Sequence, residues 1–186
     1  MGPAPNDFGL SKHHILEACE KSLLRLQMDY VDIYFLHRAD FNVPLEETLA
    51  ALDILVRQGK VRYIACSTFP AWKTTEAMWL ADKHHLPKFI CETPPYNLLD
   101  RRIENEIVPM CQAYDLGIIA WAPLAHGVLA GRYTDATELP EGSRGTLRDV
   151  FRERITQAGI EVGLRFTQQA QEKGCPAAQL LVVNCL

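Results

Sequence analysis

The sequence predicts an α/β protein built on a parallel sheet, and three observations carry that prediction. Short apolar runs of strand length recur at 31–36, 61–66, 88–92 and 117–121. Between them lie stretches whose apolar residues repeat at helical spacing. Proline or glycine marks several of the joins, at Pro44, Gly59, Pro70 and Gly174. Strands that alternate with helices form right-handed βαβ units and therefore a parallel sheet. Two architectures satisfy the pattern, an open doubly wound sheet and part of a (β/α)8 barrel. Both place ligands at the carboxyl ends of the strands.

The first helix is expected from Ser11, a suitable N-cap, with Ile15, Cys19, Leu23 and Leu26 on one face. Strand 31–36, VDIYFL, reads as buried on both faces and runs into His37, Arg38 and Asp40. The second helix begins near Pro44, buries Leu45, Leu49, Leu52 and Leu55, and stops at Gly59. Strand 61–66, VRYIAC, follows. The third helix starts around Pro70, carries Trp72, Met78 and Trp79, and ends near His85. Strand 88–92, KFICE, leads into the loop TPPYNLLD. The fourth helix sets Ile103, Ile107, Cys111 and Tyr114 on one side, and strand 117–121, GIIAW, comes next. The glycine-bearing loop APLAHGVLAGRY opens a polar stretch at 134–147. Helical segments are expected over 148–173, with a last helix opening at Pro176 after Gly174.

A chain of 186 residues, nearly half of them hydrophobic, forms one domain able to bury a core without disulfide or metal staples. Its 19 basic and 23 acidic residues are interspersed, for a net charge of −4. That balance argues against nucleic acid or an anionic membrane as partner. No apolar run approaches membrane-spanning length, and the first residues lack the apolar core of a signal peptide. The six cysteines are scattered without a C-x-x-C pair, as expected of reduced thiols in a cytoplasmic protein. The His13-His14 and His84-His85 pairs have no ligand-spaced Cys or carboxylate and read as helix surface, not metal sites.

The strand exits collect the chemistry. His37 follows the first strand, Ser67 and Thr68 the second, Thr93 the third, and Trp121 ends the fourth. A single strand-end histidine is ordinarily satisfied by a backbone carbonyl, but four successive exits bearing polar or aromatic residues favour a site. The two hydroxyls can bind an amide or phosphate, or cap the following helix. Trp121 offers a face for a flat ligand. Gly127 and Gly131 lie among small residues, so their loop can bring backbone N–H groups near a phosphate.

These same residues carry a resemblance. The segments GPAPNDFGLSKHHILEACEKSLLRLQMDYVDIYFLHRAD, PLEETLAALDILVRQGKVRYIACSTFPAW and PPYNLLDRRIENEIVPMCQAYDLGIIAWAPLAHGVLAGRY resemble consecutive parts of an aldo-keto reductase, from Gly2 to about Leu181. The resemblance implies a partial (β/α)8 (TIM) barrel, with about four parallel strands alternating with helices. It also implies NADPH, or NADH, as hydride donor to a small-molecule aldehyde or ketone. His37 resembles the histidine that orients the substrate carbonyl. Ser67 and Thr68 stand where the family holds the nicotinamide carboxamide with Ser-Asn, and Thr93 where it commonly uses Gln. Trp121 matches the aromatic residue that stacks on the nicotinamide ring. Ala122, Leu124 and Gly127 fall in the loop whose backbone meets the pyrophosphate.

The family's catalytic Asp, Tyr and Lys have no counterpart here, and neither do its first three strands or its 2′-phosphate-binding residues. The resemblance therefore implies an internal fragment covering the fourth to seventh strands. Two functional classes follow. One is an NADPH-dependent carbonyl reductase whose activity belongs to a longer parent. The other is a non-catalytic product, either one that keeps a nucleotide-binding surface, as in family relatives that serve as channel subunits, or a truncated one without activity of its own. Four strands also leave two open edges, so the chain is expected to self-associate.

Overall fold

The computed structural model describes residues 7–147 and 149–184. The chain forms two compact units, one reaching up to Pro94 together with Ile103–Ile119, the other comprising Pro95–Arg102 and the chain from Ala120 onward.

The first unit holds the sheet. Its elements are α1 (Lys12–Leu26), β1 (Val31–Leu36), α2 (Leu45–Arg57), β2 (Val61–Cys66), α3 (Ala71–His84), β3 (Phe89–Glu92), α4 (Ile107–Tyr114) and β4 (Gly117–Ile118). All four strands are parallel, in the order β1-β2-β3-β4. The expected alternation and the parallel sheet are thus both present. Ser11 caps α1 as anticipated, its hydroxyl accepting the His14 N–H at 3.3 Å. Ile15, Cys19 and Leu23 of α1 and Leu49, Leu52 and Leu55 of α2 are buried against Leu36 and Ile64 of the sheet. Phe69, just past β2, meets Phe89 of β3 edge to face, with ring centroids 6.1 Å apart.

Several expectations need correcting. Strand 31–36 is not buried on both faces: only Leu36 is fully buried, and Phe35 is 38% exposed. The exposure belongs to a face of the sheet and not to its edge: Tyr63 of β2 and Ile90 of β3, both central strands, are 55% and 37% exposed, while the adjacent Ile64 and Phe89 are buried. Apolar composition cannot show which face of a strand the rest of the chain covers. Strand 117–121 shrinks to Gly117–Ile118, at the other edge. The fourth helix begins at Ile107, and Ile103 is buried in a separate 3-10 turn, Arg102–Glu104. Pro44 occupies the N-cap position, one residue before the first helical turn, whereas α3 starts beside Pro70 as expected, and neither Ser67 nor Thr68 caps it. Four of the cysteines, Cys19, Cys66, Cys91 and Cys111, are buried free thiols, while Cys185 lies outside the described residues.

The second unit is helical. It contains a 3-10 turn at Ala125–Gly127, short helices α5 (Arg144–Leu147) and α6 (Asp149–Arg152), then α7 (Gln157–Glu172) and α8 (Ala177–Asn184). Thr156 caps α7 by accepting the Gly159 N–H at 3.1 Å. The core gathers Val128, Leu129, Tyr133, Ile155 and Ile160. Gly163 is required by packing: a Cβ there would lie 2.2 Å from the Val128 carbonyl oxygen. Among the described residues, no helix is long and apolar enough to cross a membrane and no side-chain group is arranged to hold a metal.

Candidate functional site

The parallel register aligns the exits of β1, β2 and β3. Leu36 pairs with Cys66 and Cys66 with Glu92, so His37, Ser67 and Thr93 each leave the sheet one residue later, on the same side. The exits are stitched together by backbone bonds. Ser67 N–H donates to the Leu36 carbonyl at 2.9 Å, Thr93 N–H to the Cys66 carbonyl at 2.9 Å, and Thr68 N–H to the Thr93 carbonyl at 3.2 Å.

Side chains converge at the same place. The Ser67 hydroxyl donates to the Thr93 carbonyl at 2.9 Å, and the Thr68 hydroxyl reaches the same oxygen at 3.5 Å. Thr68 takes a left-handed backbone, φ +54, which a β-branched residue adopts only where its surroundings hold it there. The Thr93 hydroxyl is buried and has no hydrogen-bond partner. A buried orphan hydroxyl, on a residue whose carbonyl already collects two others, fits a polar ligand group that would complete it.

His37 is exposed and lines a cavity of about 440 Å³ with Tyr34, Phe35, Arg38, Asp40 and Phe41. Asp40 shapes its wall by accepting the Leu10 N–H and the Asn42 N–H, each at 2.9 Å. Tyr34 is no free acid: its hydroxyl points at the Ile15 carbonyl, 3.5 Å away, and burial pushes its phenol up to about 12.

The remaining candidates belong to the second unit. Trp121 bridges to Pro95, and its carbonyl accepts the Tyr96 N–H at 3.2 Å. The Arg154 guanidinium lies 5.6 Å from its ring centroid and the His126 ring 6.5 Å. The Arg154 guanidinium thus already engages the Trp121 ring. Burial, together with the Arg154 and Arg144 charges, lowers the pKa of His126, favouring its neutral form. Beyond Trp121 the backbone is contorted, with positive φ at Ala122, Ala125, His126 and Gly127. Leu124 accepts the Gly127 N–H at 2.9 Å, closing the turn that ends at Gly127.

Trp121, Ala122, His126, Arg154, Asn97 and Thr156 line a cavity of about 610 Å³. Asn97 organises it: its Nδ2 donates to the Ala122 carbonyl at 3.0 Å, and its Oδ1 accepts the Leu99 and Asp100 N–H groups at 2.9 and 3.0 Å. A two-pronged pair with Arg102, both bonds 2.8 Å, holds the Asp100 carboxyl below its usual range.

Comparison with known proteins decides the family. The sequence pattern of the aldo/keto reductase family matches residues 1–183. The chain belongs to the aldo-keto reductase family. Its sheet of four parallel strands, each preceded by a helix, is accordingly a part of the (β/α)8 barrel of these oxidoreductases. The chain is 37% identical over 189 residues to a probable voltage-gated potassium channel subunit beta of Arabidopsis thaliana, covering 99% of this chain and 57% of that protein. The corresponding protein of Oryza sativa subsp. japonica is 38% identical over the same span, with the same coverage. An aldo-keto reductase of Alternaria alternata is 36% identical over 175 residues, covering 94% of this chain and 47% of that protein. The chain therefore spans about half the length of the curated relatives it matches.

The structure thus links Ser67, Thr68 and Thr93 by hydrogen bonds, puts His37 at the neighbouring strand exit in a cavity that those three do not line, and holds Trp121, Ala122, Leu124 and Gly127 in the second unit. Sequence reasoning missed Glu92, Asn97 and Arg154. The glutamate and asparagine had a faint signal, a carboxylate ending an apolar strand and an Asn after two prolines. Arg154 had none, because its place over Trp121 is a tertiary contact.

Proposed function

We propose that this chain carries part of the nicotinamide-nucleotide site of an NADPH-dependent carbonyl reductase, and that by itself it binds weakly without catalysing reduction. One observation carries the reading: the hydroxyls of Ser67 and Thr68 converge on the Thr93 carbonyl at the next strand exit, and the hydroxyl of Thr93 is itself buried without a partner. A carboxamide that donates to one hydroxyl and accepts from another suits this cradle. NADPH supplies a hydride when bound, with NADH as the alternative donor. Thr68 and Thr93 are shorter than an asparagine and a glutamine, so each gives up an amide contact. Trp121 would offer the ring a stacking surface and the 122–127 turns would face the pyrophosphate. His37 would hold the oxygen of an aldehyde or ketone by hydrogen bonding. The chain would act as an aldo-keto reductase-like domain, working in the cytoplasm.

Carbonyl reduction also needs a proton delivered to the developing alkoxide, an effect worth ~10²–10⁴ in rate. The phenols of Tyr34 and Tyr133 are turned to the carbonyls of Ile15 and His126 instead. This favours, as a second reading, nucleotide binding without chemistry. Calorimetric titration with NADPH, followed by an NADPH-oxidation assay with 4-nitrobenzaldehyde, tests both. The expected dissociation constant is on the order of 10⁻⁴ M, weakened in Trp121→Ala, with no turnover above buffer. Micromolar affinity that survives Trp121→Ala would remove the stacking role. Turnover abolished by His37→Ala would place a proton donor in this chain and refute the non-catalytic reading.

A further inference from the structure

Glu92, the last residue of β3, is fully buried at 0% exposure, yet it takes no part in the site described above. Its carboxyl is spent entirely on the neighbouring strand exit. Oε1 accepts the Phe69 N–H at 3.2 Å, and Oε2 accepts the Cys66 thiol at 2.7 Å. Cys66 precedes the Ser67–Thr68 pair and Phe69 follows it, so one buried side chain grips both ends of the turn that carries the two hydroxyls. The middle of that turn is Thr68 with φ +54. Strain of this kind persists only where the surroundings over-determine the backbone. The bonds from Thr68 and Thr93 fix one side of the turn, and Glu92 fixes the other from within the core. A carboxyl is costly to bury, and an apolar side chain would pack here without that cost. The arrangement therefore calls for a polar anchor.

We infer that Glu92 is a positioning residue, which holds the Ser67–Thr68 turn in its left-handed form and thereby sets affinity for the nicotinamide nucleotide without touching it. The affinity half of this inference rests on the function proposed above; the positioning half does not. Two variants separate a specific anchor from general packing. Glu92→Leu keeps bulk and removes the acceptors, whereas Glu92→Gln keeps a carbonyl oxygen for the Phe69 N–H.

The first measurement needs no ligand: amide hydrogen exchange at Phe69, with Ile64 in β2 as reference. Protection of Phe69 in the wild type, lost about tenfold or more in Glu92→Leu and largely retained in Glu92→Gln, is the expected pattern. The second is nucleotide affinity, expected to fall about tenfold in Glu92→Leu and to stay within about twofold in Glu92→Gln. Placing Glu92→Leu in a Thr68→Gly background, where the left-handed backbone carries no strain, should shrink its effect on affinity to about twofold. If Glu92→Leu does not fold, wild-type exchange still decides: a Phe69 amide exchanging as fast as an exposed turn overturns the anchor. Equal loss in Glu92→Leu and Glu92→Gln, or an unchanged effect in the Thr68→Gly background, does so too. If the wild type binds no nicotinamide nucleotide, the proposed function falls, and the exchange pattern alone judges the role of Glu92.

Discussion

Gly159 and Gly163 sit one turn apart on α7 and should respond very differently to alanine. On an exposed helix both substitutions would gain about 1 kcal/mol of helix propensity. What each new methyl meets decides the outcome. At Gly159 the nearest atoms are the Thr156 hydroxyl at 3.1 Å and the Leu99 Cδ1 at 3.2 Å, both side-chain tips that can give by a few tenths of an ångström. At Gly163 the methyl would lie 2.2 Å from the Val128 carbonyl oxygen and 3.0 Å from its carbon. Relieving that contact moves backbone against backbone by roughly 1 Å, displacing α7 from the segment that supplies the fully buried Val128 and Leu129. Overpacking of this kind costs about 3 kcal/mol at the upper end of its usual range. Subtracting the propensity gain leaves a net loss of about 2 kcal/mol for Gly163→Ala and a change within about 1 kcal/mol for Gly159→Ala.

Urea unfolding followed by far-ultraviolet circular dichroism, with both variants side by side, measures the difference. Because Arg154 and Thr156 precede α7 and line the cavity at Trp121, the Gly163→Ala shift should also change Trp121 fluorescence. That emission is best read with Trp72 and Trp79 replaced by Phe. Equal midpoints for the two variants would refute the close approach of α7 to Val128, and with it the packing that positions the Trp121 cavity.

Two further outcomes follow from the same structure. Burial raises the Glu92 pKa above its ordinary 4.5, outweighing the lowering by the Cys66, Phe69 and Thr68 bonds and the Arg38 charge. The Cys91 and Cys111 thiols also lie near, and burial pushes both of them up as well. The folded chain therefore holds the Glu92 proton longer than the unfolded chain does. Its contribution to stability is fully present below about pH 4.5 and is lost as pH rises through the raised folded value. The difference in urea midpoint between wild type and Glu92→Gln should thus move against the wild type from pH 4.5 to pH 8; a flat or opposite trend refutes the assignment. At the sheet edges, Phe35 of β1 and Ile119 beside β4 are 38% and 47% exposed, and neither strand carries the lysine or proline that guards an edge. Light scattering coupled to size exclusion should show self-association that Phe35→Lys reduces, whereas a sharp monomer peak at all concentrations would dismiss the edge argument.

Much of the architecture was legible in the linear pattern. Apolar runs of strand length separated by helical periodicity fix α/β alternation, because side-chain spacing of two or 3.6 residues is a local property of the backbone. Ser11 announced its cap for the same reason. That polar residues occupy successive strand exits was legible too, since parallel strands must all leave the sheet on one side. Which residues those exits hold together was not. Phe35 of β1 and Ile90 of β3 look like core in sequence yet are more than a third exposed, on an edge strand and a central one alike, because exposure depends on which face of the sheet the rest of the chain covers. Glu92 would pass as the polar end of a strand, yet the neighbouring exit folds around its carboxyl and makes it an anchor. Arg154 lies thirty-three residues beyond Trp121 and comes to rest over its ring. Burial, edge position and stacking are set by what the rest of the chain places opposite a residue, and only the tertiary structure supplies that.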